Sequence, residues 1–257
     1  MNEKKDVIRM MDIKLIALDM DGTLVNHEGE VSPENEQAIQ RAKEKGIHVV
    51  LSTGRSLFTC RDISDELGRS SYLVTVNGGE IYDHEYNLVD RIPLDIDLVK
   101  QLWELKEEHD VYFWSSTSQG LFNSRKPFDQ DIESYNWLKF GFDIQDDEVR
   151  KVMMDELVKN EALEITNSSP TNIEINPAGV NKAAALVKVC KWLDLSMDQV
   201  MAVGDSMNDI AMIREAGFGV AMGNAQEAVK EAADWVTGIN TDHGVAQAID
   251  KVLKEMN

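Results

Sequence analysis

The sequence predicts an α/β protein: a doubly wound parallel sheet with a smaller α+β domain inserted into it. Three observations carry this expectation. Near-continuous apolar runs (IKLIALDM, IHVVLST, YLVTVNG, VMAVGD and GFGVAM) read as strands buried on both faces. Helical stretches alternate with them at both ends of the chain, the β-α-β rhythm of a parallel sheet. The rhythm stops between Asp83 and Pro177, which marks an insertion. The expected division is therefore 1–82 and 178–257 for the sheet domain and 83–177 for the inserted one.

In chain order, IKLIALDM is the first strand, and SPENEQAIQRAKEKG the first helix. Ser32 suits its cap, Pro33 its first position and Gly46 its exit, with Ala38, Ile39 and Ala42 as the apolar stripe. IHVVLST is followed by the helix SLFTCRDISDELG, and YLVTVNG by Asn77-Gly78-Gly79, a turn needing positive φ. Within the insertion, EIYDHEYNLVDRI reads as a hairpin turning near Tyr86-Asn87, DIDLVKQLWELKEEH as an amphipathic helix and VYFWSST as a strand. ALEITNSSPTNIEIN reads as a second hairpin, and the dense aromatics between Trp103 and Phe142 as the core of the inserted domain. The sheet rhythm then resumes with the helix NKAAALVKVCKWLDL, the strand VMAVGD, the helix SMNDIAMIREAG and the strand GFGVAM. AQEAVKEAAD and VAQAIDKVLKEM are the last helices.

The 257 residues carry a net charge of −20, from 46 acids and 26 bases, which argues against nucleic acid or an anionic membrane as partner. An anionic substrate must be drawn in by local groups. No apolar stretch reaches the length of a membrane span, and the first residues hold no signal-peptide pattern. Met10 or Met11 offers a second start, with a loose tail before it. Cys60 and Cys190 lack CxxC spacing and read as packed free thiols, in keeping with a reducing cytoplasm.

Four segments place polar residues past the end of an apolar strand or at the mouth of a helix: DMDGT (19–23), STGR (52–55), Lys182 in GVNKAAAL, and GDSMND (204–209). In an open α/β sheet that edge binds ligands. Convergence would gather Asp19, Asp21, Asp205 and Asp209 in one pocket. Each like-charge pair 4 Å apart costs about 4 kcal/mol at an effective dielectric of 20, so a cation is expected among them. All-oxygen ligands favour Mg²⁺. Thr53, Gly54, Lys182 and Asn208 supply a hydroxyl, an open backbone N–H, a mobile charge and an amide, a set suited to phosphate. Arg55 reads as a structural ion-pair partner.

These motifs resemble the four motifs of the haloacid dehalogenase superfamily of phosphohydrolases. GFGVAMGNAQEAVKEAADWVT, TDHGVAQAI, VTVNGGEIYD and IEINPAGVNKAAAL look like its Cof-type branch, whose α/β cap would be the insertion. The resemblance implies that Asp19 is the nucleophile and Asp21 the general acid and base. It implies further that the Asp19 carboxylate, the Asp21 backbone carbonyl and Asp205 hold Mg²⁺. Asp209 would orient these groups or Lys182, while Thr53, Gly54, Lys182 and Asn208 cradle the transferring group. The expected activity is hydrolysis of small phosphorylated metabolites, either sugar phosphates or phosphorylated cofactors. A phosphotransferase or mutase would use the same aspartyl-phosphate. A phospho-aspartate signalling module lacks an acid placed like Asp21 and has no need of a cap. Trp114, Arg125 and Lys126 are the insertion's candidates for reaching a leaving group.

Overall fold

The structure is a computed structural model that describes residues 12–255; the expected loose tail lies outside them. Among the described residues two sheets form. The parallel part of the larger comprises β1 (Leu15–Leu18), β2 (His48–Ser52), β3 (Tyr72–Thr75), β11 (Val200–Gly204), β12 (Phe218–Ala221) and β13 (Trp235–Val236). The hairpin β4 (Glu80–Asp83) and β5 (Leu88–Arg91) completes it, in the order β13-β12-β11-β1-β2-β3-β4-β5. Every residue of β1, β11 and β12 is buried, as the apolar runs require.

Helices cover both faces. Helix α1 (Pro33–Glu44) opens on Ser32, whose side chain accepts the Asn35 N–H, and has proline in its first turn. It packs with α8 (Gly244–Glu255) on one face, where Ile16, Leu18, Ile39, Val49 and Ile249 share a core. Helix α5 (Lys182–Trp192) lies on the other, with Leu15, Ala17, Val50, Leu186 and Ala202 in a second core. Helices α2 (Leu57–Glu66), α6 (Ile210–Glu215) and α7 (Glu227–Ala232) complete the layers. Cys60 and Cys190 are buried free thiols, and burial pushes the Cys60 thiol up to about 12.

The smaller sheet is antiparallel. Its strands are β6 (Tyr112–Thr117), β7 (Gly120–Asn123), β8 (Trp137–Asp143), β9 (Leu163–Thr166) and β10 (Asn172–Pro177), ordered β7-β6-β8-β10-β9. Helices α3 (Ile96–His109) and α4 (Asp147–Leu157) accompany it. Phe113, Trp137, Phe140 and Phe142 fill a core of its own, as the aromatic density suggested.

One expected placement differs. The β4–β5 hairpin extends the large sheet instead of opening the inserted one. Val76, Asn77 and Gly78 all take positive φ, while Gly79 does not. This left-handed turn reverses the chain, so that β4 pairs antiparallel with β3.

Candidate active site

Parallel pairing of β1 with β2 and β11 puts three strand ends side by side. Asp19, Thr53 and Asp205 each follow their strand within a residue, so they meet at the sheet's carboxyl edge. Lys182 enters as the first residue of α5, where Asn181 caps the helix by accepting the Ala184 N–H at 2.9 Å. The Lys182 ammonium is fully buried and donates to Asp19 Oδ1 at 2.6 Å and to Asp209 Oδ1 at 2.7 Å. The second Asp209 oxygen accepts the backbone N–H groups of Asp205 and Ser206, both at 3.0 Å. Asp209 therefore has both oxygens committed: it orients Lys182 and shapes the 205–206 turn.

Oxygens of Asp19, Asp205 and Asp209 lie within 4.8 Å of one another, close enough to surround a metal ion. Burial, followed by the Asp209 charge, raises the Asp19 carboxyl well above its usual range, despite Lys182. The same two causes push Asp205 up to about 6. A cluster of oxygens this reluctant to hold its charge fits a divalent cation chemically. Asp205 is held by Thr23 Oγ1, which donates at 3.1 Å, and by Ser206 Oγ at 3.2 Å. Gly22, at φ +78°, passes so close that a Cβ there would lie 2.4 Å from Asp205 Oδ2.

Three of the four expected carboxylates form this tight cluster, while the fourth, Asp21, lines the same cavity outside it. Asp21 is exposed where Asp19 is buried, because the chain has left β1 and begun the turn at Gly22. Its side chain receives two donors from Arg55, at 2.6 and 2.9 Å, which makes Arg55 the ion-pair partner read from the sequence.

A cavity of about 460 Å³ opens above this cluster, within the range of small-ligand pockets. Asp19, Asp21, Gly54, Asp205 and Asn208 line its floor. Thr53 is fully buried beneath it: its N–H donates to Val74 O at 2.9 Å and its hydroxyl accepts the Arg55 N–H at 3.1 Å. Among the described residues the Gly54 N–H has no partner, so that donor remains open to an anion. Asn208 donates to Asn77 Oδ1 at 3.3 Å, while its own side-chain carbonyl oxygen is buried with no partner among the described residues.

The small sheet forms the roof. Lys139 Nζ donates to Gly54 O at 2.8 Å and to Glu174 Oε2 at 3.2 Å. Glu174 also accepts from Asn77 at 2.6 Å and Ser168 at 2.5 Å. Burial raises the Glu174 carboxyl, but Lys139, Ser168 and Asn77 outweigh it and hold it below its ordinary value. Asn176 reaches Val76 O at 3.0 Å, and the Asn208 N–H reaches Asn167 O at 3.3 Å. Of the three leaving-group candidates only Trp114 lines the cavity; Arg125 lies 5.9 Å from the Tyr112 ring instead.

Lys139, Ser168, Asn172 and Glu174 line the cavity without having been anticipated. A signal existed: Lys139 interrupts the apolar run WLKFGF, and Glu174 alternates with Ile173 and Ile175 in NIEIN. A charged residue in mid-strand calls for a partner.

Comparison with known proteins agrees with this geometry. The family model of haloacid dehalogenase-like hydrolases matches residues 16–249. The chain is 55% identical to the 5-amino-6-(5-phospho-D-ribitylamino)uracil phosphatase YcsE of Bacillus subtilis, over 93% of this chain and 95% of that protein. It is 32% identical to YwtE of the same organism, a phosphatase of the same name, over 94% and 98%. A solved haloacid dehalogenase-like hydrolase from B. subtilis superposes with a TM-score of 0.86 at 28% identity, over 93% of this chain and 99% of that one.

Proposed function

Because the chain belongs to the haloacid dehalogenase-like hydrolases and is a phosphoric monoester hydrolase, we propose that it is a Mg²⁺-dependent phosphatase of small phosphorylated metabolites, working through an aspartyl-phosphate on Asp19. The observation that carries this reading is the Asp19 carboxylate, paired at 2.6 Å with buried Lys182 and opening onto a roofed cavity.

An oxygen of Asp19 attacks phosphorus as the bond to the ester oxygen breaks, and Asp21 gives that oxygen its proton. Water then attacks the phosphorus, yields a proton to Asp21 and releases phosphate, restoring Asp19. Asp21 must turn from Arg55 to do this; its exposed side chain leaves room. Lys182, the Gly54 N–H and Asn208 bind phosphoryl oxygens, while Thr53 shapes the loop that presents Gly54. The Asp19 carboxylate, the Asp21 backbone carbonyl and Asp205 would hold Mg²⁺, which when bound offsets the carboxylate charge and polarises the phosphoryl group. The small sheet acts as a cap, inserted between the two runs of chain that build the core and excluding water from the site.

The 55% identity to YcsE makes 5-amino-6-(5-phospho-D-ribitylamino)uracil the first substrate to try. Phosphate release from this ester is measured with and without EDTA, and with Asp19→Asn. Turnover that survives either change sinks the mechanism. Label passing to an added alcohol in preference to water would mark a phosphotransferase.

A further inference from the structure

We propose that the Trp114 indole is a platform for a flat heteroaromatic ring on the leaving group, so that the site takes phosphate esters carrying such a ring in preference to plain polyol phosphates. The inference rests on the phosphatase reading above and names its substrate class.

Trp114, half-buried, offers the one apolar side chain among the described residues lining the cavity. It stands in a row across the cap sheet: Trp114 on β6 pairs with Gly141 on β8, which pairs with Glu174 on β10. A Cβ at residue 141 would lie 2.3 Å from the indole carbons Cε2 and Cζ2. The ring therefore rests against bare backbone, and any larger residue would displace it. Lys139 Nζ lies 4.9 Å from the ring centroid and ties the indole, through Gly54 O, to the phosphate end of the cavity.

The polar groups of the roof are already committed. Glu174 accepts from Lys139, Asn77, Ser168 and Asn172. Asn172 accepts the N–H groups of Ser168 and Ser169 at 3.1 Å and donates to Ser168 Oγ at 2.9 Å. A polyol would find few open partners on this side. A planar ring needs none, because stacking draws on the π face alone.

The test compares kcat/KM for 5-amino-6-(5-phospho-D-ribitylamino)uracil and for ribitol 5-phosphate, which lacks the ring. In Trp114→Ala the ratio of the two should fall about ten-fold, with Trp114→Phe between this variant and the parent. Gly141→Ala should shift the ratio the same way, because it dislodges the indole without altering it. Equal losses on both esters, or none, overturn the platform. If the parent protein hydrolyses neither ester, the phosphatase reading has failed separately. Calorimetry with the dephosphorylated ring compound still reads the platform then: weaker binding to Trp114→Ala supports it, and equal or absent binding to the parent overturns it.

Discussion

Asp21 pairs with Arg55 while Asp19 pairs with Lys182, although only Met20 separates the two acids. The guanidinium takes both Asp21 oxygens, at 2.6 and 2.9 Å, and its own Nη1 is anchored on Thr59 O at 3.1 Å. Arg55 thus parks the proposed acid and base at the cavity's edge.

Asp21→Asn should lower kcat by roughly 10²–10⁴-fold, the span of general acid-base catalysis. Arg55→Ala removes only the positioning and should cost about ten-fold in kcat, with a stability change under about 1 kcal/mol because its Asp21 partner is exposed. Steady-state kinetics and thermal melts check both. An Arg55 variant as slow as Asp21→Asn would mean that Arg55 itself touches the substrate.

Asp19→Asn should abolish turnover while leaving the metal-free protein at least as stable as the parent. Burial and then Asp209 raise the Asp19 carboxyl, so its charged form destabilises the fold at neutral pH. An amide removes that charge. Urea unfolding in EDTA measures the effect, and a marked loss of stability would show that the Lys182 pair outweighs desolvation.

Mg²⁺ should stabilise the protein more at about pH 8 than at about pH 5. The Asp205 carboxyl sits at about 6 in the folded protein against 3.8 for the free side chain, raised by burial and then by Asp209. Folding therefore takes up a proton between these values, and the metal-free protein loses stability from this group as pH rises through that window. A cation replaces the proton above it and competes with it below. Thermal shifts at the two pH values decide, and equal shifts would place the ion elsewhere.

Glu174→Gln should destabilise the fold by about 3 kcal/mol, because Lys139 is left buried without its counter-charge. Adding Lys139→Met should restore part of that loss. Burial pulls the Glu174 carboxyl up, but Lys139 and the hydrogen bonds hold it low, so its contribution is full above pH 4.5 and fades as pH falls below. A double-mutant cycle by urea unfolding measures the coupling, and additive effects would show that the pair is inert.

Much of the core and its site was legible because the informative residues are covalent neighbours of strands. An apolar run that ends in Asp19, Thr53 or Asp205 states where those side chains emerge, and parallel pairing then brings them together. The cap was less legible. WLKFGFD became β8 although Lys139 and Gly141 break its apolar pattern, since both lie on the face toward the cavity and one of them seats Trp114. Helix α4 has an N-cap in Asp146, accepting from Glu148 and Val149, and an apolar stripe of Val149, Met153 and Leu157 at helical spacing, a signal present in the sequence although no helix was expected there.

The sequence by itself determined the strands of the core and that Asp19, Thr53 and Asp205 emerge at its carboxyl edge, because each depends on residue type and on position beside a strand. Only the tertiary structure decided that Asp21 leans on Arg55, that Asp209 serves Lys182, and that Lys139, Glu174 and Trp114 roof the site. Those are contacts between residues dozens of positions apart: the Asp21 and Asp209 pairs exist only once the large sheet and its helices have assembled, and the roof only once the small sheet has come against them.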